Sequence, residues 1–288
     1  MLEAASMVAF FSACVGLVKK FYTPPMKKEN NKLVELDKET MMYQYHDLVS
    51  VIYSGILIAL FITNCIISGL DFERKGNKIE QTIVLLGMVW YSFDFVLKYL
   101  DGVNSVFVWI HHTCTILSML VLYQSENTLC FGATALFTND CIHIFLVIYR
   151  TFERMNFPFD HYKYKINFIL LTLCFVASRV IANHFLIYKL AMTSNPNILI
   201  IIGNTPIVCF GTIISIKLLS KMWKFIPHWC SQPDKVQEMA IWSSIRSLFQ
   251  KYKSKGKFSK SVDICVYTSS IVIPIALAVY SNYFTEAF

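Results

Sequence analysis

The sequence predicts an all-α, polytopic membrane helix bundle, and three observations predict it. Hydrophobic residues make up 55% of the 288-residue chain and charged residues only 16%, a balance too apolar for an ordinary soluble domain. Seven apolar runs approach or exceed the roughly 20 residues that a helix needs to cross a bilayer. They are Leu48–Leu70, Ile83–Leu100, Val106–Tyr123, Leu129–Tyr149, Ile166–Tyr188, Ile198–Leu219 and Val262–Phe284. The net charge of +7 is gathered between runs rather than within them. Seven membrane helices are expected, or eight if Leu2–Val18 makes another.

Leu2–Val18 carries Glu3 rather than a basic start, and Lys19 and Lys20 follow it. It reads as a retained anchor helix in preference to a cleaved signal peptide. Residues 1–45 are therefore an anchor helix and a basic cytoplasmic segment, and residues 46–224 hold six of the long runs. The stretch 225–261 is a basic cytoplasmic loop, and 262–288 an extra C-terminal membrane helix. Sidedness follows from Lys/Arg placement. Lys217, Lys221, Lys224, Lys235, Arg246, Lys251, Lys253, Lys255, Lys257 and Lys260 face only Asp234 and Glu238 in that stretch. Counting helices backwards puts Arg150–Lys165 and Lys19–Lys32 on the same side, and both are basic. The mixed-charge loop Phe72–Glu80 falls on the other side. Within the basic loop, Trp242–Phe258 reads either as an amphipathic surface helix or as a solvated linker. A basic loop in such a protein sets orientation or rests on anionic headgroups, so no nucleic-acid partner is expected.

The polar residues inside the runs carry the functional signal, because an ionisable group in hydrocarbon is costly and faces the bundle interior. Asp94 lies in the second run with Tyr91 one turn before it. His111 and His112 are adjacent in the third, about 100° apart around the helix, with Thr115 one turn on. Asp140 and His143 are spaced i, i+3 in the fourth, beside Asn139. Arg179 and Asn183 are i, i+4 in the fifth. Four neighbouring helices each bring strongly polar groups to mid-depth, which points to one shared, hydrated chamber. The bland alternative is interhelical hydrogen bonding.

A metal centre fits poorly. The seven histidines do not form the HxxxH and HxxHH clusters of membrane di-iron enzymes, and the nine cysteines include no CxxC pair. No metal and no bound cofactor is expected. General acid–base work suits the residues better, since imidazole titrates near neutral pH and a carboxylate can orient it. His111 or His112 is the candidate base and Asp140 its orienter. Asp94, Tyr91, Thr115, Asn139, His143, Arg179 and Asn183 are candidate lipid- or substrate-binding residues.

"HDLVSVIYSGIL" (His46–Leu57), "WYSFDFVLKYL" (Trp90–Leu100), "WIHHTCT" (Trp109–Thr115), "FTNDCIHIFLVIYR" (Phe137–Arg150) and "CFVASRVI" (Cys174–Ile181) occur in an order that resembles the TLC-domain family. That family includes translocation-associated membrane proteins, the ceramide synthases and the CLN8 protein. The resemblance covers roughly His46 to Lys224. It implies a six-helix domain around a lipid-accessible cavity, in the endoplasmic reticulum. In the ceramide synthases a pair like His111 and His112 serves N-acylation of a sphingoid base by acyl-CoA. Their following His-Asp-x-x-Asp motif corresponds here to Asn139-Asp140-Cys141-Ile142-His143, with only Asp140 retained. Two functions stay open: a lipid-binding or lipid-regulating membrane protein, and an acyl-CoA-dependent N-acyltransferase of a sphingoid base.

Overall fold

The computed structural model describes residues 2–24, 26–29, 32–102, 106–192 and 198–231. The expected basic loop, including Trp242–Phe258, and the expected helix Val262–Phe284 lie outside the described residues. The helices are α1 (Leu2–Phe21), α2 (Lys38–Ser68), α3 (Lys78–Leu100), α4 (Val106–Gln124), α5 (Leu129–Asp140), α6 (His143–Arg154), α7 (Tyr162–Phe175), α8 (Asn183–Ala191) and α9 (Ile198–Ser231). Among the described residues, five helical stretches are long and apolar enough to cross a membrane: Leu2–Phe21, Thr40–Ser68, Lys78–Leu100, Glu126–Arg154 and Tyr162–Ala191. One small departure from an all-helical chain precedes α2. Strands β1 (Lys27–Glu29) and β2 (Lys32–Val34) pair antiparallel, with Lys27 opposite Val34 and Glu29 opposite Lys32.

Local signals explain where the helices start. Asp37 caps α2 by accepting from the Thr40 amide at 2.8 Å, so the helix begins ten residues before the apolar run, with a polar first turn. Asn77 and Glu80 form a reciprocal capping box at the start of α3, satisfying two amides that the first turn leaves orphaned. Gly69 ends α2 at φ 66°, the left-handed conformation in which a Cβ is costly.

Two apolar runs are interrupted. The expected single helix Leu129–Tyr149 is two, α5 and α6, broken at Cys141–Ile142. The Asn139 carbonyl, which an unbroken helix gives to the amide of residue 143, instead receives Arg179 Nη2 at 2.6 Å. The run Ile166–Tyr188 contains a π-helical stretch, Val176–Ala182, between α7 and α8. Such bulges re-aim side chains and recur at functional sites, and Arg179 stands inside this one.

Packing gathers into two clusters. In the first, Tyr53 stacks on Trp90 at 4.9 Å, Phe11 of α1 covers Trp90 at 5.1 Å, and Phe61 stacks on Phe137 at 4.1 Å. In the second, Ile142, Tyr164, Phe168, Leu171, Phe175, Leu218 and Ile226 join α6, α7 and α9. Helices α3 and α5 approach closely because each supplies a glycine to the other's large side chain. A Cβ on Gly87 would sit 2.5 Å from Leu136 Cδ1, and one on Gly132 would sit 2.8 Å from Val84 Cγ2. Small residues at such crossings let membrane helices pack tightly. Gly87→Ala is therefore expected to cost about 1–3 kcal/mol by overpacking, read as a lower unfolding midpoint in detergent; an unchanged midpoint would mean that this crossing is not tightly packed.

Candidate functional site

Antiparallel neighbours bring the N-terminal ends of α2 and α4 beside the C-terminal ends of α3 and α6. A cavity of about 220 Å³ opens at that end of the bundle. Trp90 and Tyr91 wall it from the first apolar cluster and Phe175 from the second.

Asp94 is its hub. The side chain is 6% exposed, and its Oδ2 lies 2.8 Å from His112 Nε2 and accepts from Lys98 Nζ at 2.5 Å. Oδ1 lies 3.2 Å from His46 Nδ1, and the far nitrogen of His46 meets Asp101 Oδ2 at 2.8 Å. A buried carboxylate persists only when its charge is matched and its lone pairs are used; Asp94 meets both conditions. Lys19 of α1, with its Nζ 4.0 Å from Asp101, extends the chain of charges outward.

Both imidazoles of the pair line the cavity. The Tyr91 ring meets them edge-on, its centroid 5.7 Å from His111 and 5.4 Å from His112. Thr115 is buried and donates to the His111 carbonyl at 2.8 Å, so it braces α4 rather than facing the cavity. Trp109 packs on Phe95 at 4.6 Å, and Ile110 and Leu117 are exposed on the outer surface.

The carboxylate against the histidine pair is Asp94, where the sequence suggested Asp140. Asp140 is fully buried at the end of α5 and accepts from Tyr53 at 2.9 Å and Tyr91 at 2.8 Å. Its reach to the pair runs through the Tyr91 phenol. His143 lines the cavity, with its Nδ1 2.9 Å from Ser54 Oγ and its Nε2 3.8 Å from Asp140. Arg179 also lines it, while Asn139 and Asn183 stand behind the guanidinium: Asn139 Oδ1 accepts from Arg179 Nη1 at 2.7 Å and from Asn183 Nδ2 at 2.9 Å.

Sequence reasoning missed His46, Lys98, Asp101, Tyr53 and the Asp47 cluster. Asp47 lies 2.8 Å from Arg150 Nη1 and 2.7 Å from Arg154 Nη2, binding α2 to α6 at the cavity rim. Lys98 was within reach of spacing alone, being i+4 from Asp94, the favourable order for an acid–base pair. Among the described residues, no group of three or more His, Cys, Asp or Glu side chains is placed to hold a metal ion.

A family model described as TLC domain matches residues 3–226. The chain belongs to the TLC-domain family. The match begins in α1 and ends in α9, wider than the stretch whose motifs carry the resemblance. No curated protein and no solved structure matches the chain. The protein is a multi-pass membrane protein, and its TLC domain ties it to a membrane, lipid-related function.

Proposed function

We propose that this TLC-domain protein binds or acts on a membrane lipid whose headgroup enters the Asp94–His112 chamber, and that it serves lipid homeostasis in the endoplasmic reticulum. The observation that carries the reading is the His111–His112 pair on the wall of a cavity of about 220 Å³, with Asp94 2.8 Å from His112. That volume suits a polar headgroup rather than one or two structural waters. Lys19, Lys98, Arg150 and Arg154 cluster at the same end, which the positive-inside tendency assigns to the cytoplasm. Untargeted lipidomics tests the reading. Cells carrying the intact protein are expected to differ from deletion cells in specific lipid species, and His111→Ala or His112→Ala to remove the difference. Variants that preserve it, with a full complement of co-purifying lipid, overturn the reading.

A second reading, acyl-CoA-dependent N-acylation of a sphingoid base, is favoured by the carboxylate-held imidazole at the cavity wall. An imidazole of the pair takes the amine proton as the nitrogen attacks the thioester carbonyl. The C–S bond then breaks, and the proton passes to the departing CoA thiolate. Neither a metal nor a bound cofactor enters this step; acyl-CoA is a substrate, and sphingolipid metabolism is the context. Purified protein given acyl-CoA and a sphingoid base is expected to form an amide, with a loss of about 10²–10⁴-fold in the histidine variants. No product above a heat-killed control, across chain lengths, rejects it.

A further inference from the structure

Two of the cations on the cavity wall are spoken for. Lys98 is drawn to Asp94 at 2.5 Å and Arg150 to Asp47 at 2.8 Å. Arg179 differs. Neutral groups hold it from behind, with Nη1 donating to Asn139 Oδ1 at 2.7 Å and Nη2 to the Asn139 carbonyl at 2.6 Å. Among the described residues, no carboxylate forms an ion pair with it. Asp140, next in sequence to the Asn139 that holds the guanidinium, has both oxygens engaged by Tyr53 and Tyr91. Arg179 is 8% exposed, it lines the cavity, and its Nε is buried with no hydrogen-bond partner. A buried cation with an unused donor is costly, and the fold retains it by shaping two other elements around it. The π-helical stretch sets its backbone, and Gly211 of α9 makes room for its stem, since a Cβ there would sit 3.1 Å from Arg179 Cβ and Cδ.

The geometry points to Arg179 as the anchor of an anion subsite in the chamber, taking a phosphate group. The planar guanidinium offers paired donors that match phosphate oxygens. Lys98 and Arg150 on the same wall are matched by Asp94 and Asp47, which line it too, so among the described residues Arg179 is the cation left there to meet a phosphate's charge. The phosphate belongs either to a lipid headgroup or to the CoA part of an acyl-CoA. This inference rests on the lipid-chamber reading and narrows its ligand to a phosphate-bearing amphiphile.

Native mass spectrometry of the full chain in dodecyl maltoside, a detergent without phosphate, tests it. The probes are lysophosphatidic acid and the monoacylglycerol of the same chain length, which differ by the phosphate alone. The intact protein is expected to retain lysophosphatidic acid about tenfold better, the scale of one charge-assisted contact. Arg179→Gln is expected to bring the two near parity, and Arg179→Lys to keep part of the preference. Should Arg179→Gln not fold, Gly211→Ala, which displaces the guanidinium without removing its charge, is expected to reduce the preference. Displacement of lysophosphatidic acid by free CoA supports the subsite with CoA as its source; retention despite CoA supports it with the lipid headgroup as its source. Equal retention of both probes by the intact protein, or an undiminished preference in folded Arg179→Gln, overturns the anion subsite and leaves the lipid-chamber reading standing. Retention of neither probe counts against both.

Discussion

Asp94→Ala is expected to lower the unfolding free energy by about 3–5 kcal/mol, the range for breaking a buried ion pair from one side, and to abolish every lipid effect of the protein. The carboxylate is shared by three donors from three helices: Lys98 on α3 itself, His46 on α2 and His112 on α4. Its removal leaves each donor poorly matched. Lys98, with a side chain 20% exposed, can swing toward solvent, and His46 keeps Asp101 at 2.8 Å. His112 loses the contact that holds its Nε2, and its ring is expected to be less firmly oriented toward the cavity. Asp94→Asn retains acceptor capacity but not the charge opposite Lys98, so its loss should be smaller, about 1.5–3 kcal/mol, as for a hydrogen bond to a charged group. Denaturant titration in detergent micelles reads the stability, and lipidomics reads the function. A stable Asp94→Ala protein with an intact lipid phenotype would show that the carboxylate neither joins the helices nor orients the histidines.

That hub was only partly legible in the sequence. Asp94, His111, His112 and Arg179 stood out because each is an ionisable group inside an apolar run, where hydrocarbon makes polarity costly. His46 did not, because it precedes the run Leu48–Leu70 and so looked like a residue outside the bilayer; α2 in fact starts at Lys38 and carries it into the bundle. Lys98 sits near a helix end, where a lysine ordinarily snorkels to the interface, and that explanation hid its contact with Asp94. The assignment of Asp140 to the histidine pair followed motif order, whereas the contact is decided by which way the end of α5 turns. That turn depends on Arg179 taking the Asn139 carbonyl, a tertiary contact between residues 40 positions apart that no local periodicity encodes. The helix break at Cys141–Ile142 and the π-helical stretch were invisible for the same reason. The apolar runs themselves were legible because bilayer thickness sets their length independently of tertiary contacts.

Glu80→Ala supplies the complementary result, a large loss of stability with the lipid preference preserved. Glu80 is fully buried at the first turn of α3. Its carboxylate accepts from Arg74 Nη2 at 2.6 Å, Asn64 Nδ2 at 3.1 Å and the Asn77 amide at 3.0 Å. One side chain thus caps α3, ties it to α2 and neutralises the Arg74 of the intervening loop. Removing it is expected to cost about 3–5 kcal/mol, toward the lower end because the Arg74 side chain is 23% exposed and can turn to water. Fourteen residues separate Glu80 from Asp94, roughly 21 Å along the helix at about 1.5 Å per residue. The two carboxylates therefore brace opposite ends of α3, and only the Asp94 end borders the cavity. In folded Glu80→Ala protein the ratio of lysophosphatidic acid to monoacylglycerol retained should match that of the intact chain, while the unfolding midpoint falls. A changed ratio would mean that the chamber's selectivity depends on the far end of the bundle, and that the chemistry cannot be assigned to the residues lining the cavity alone.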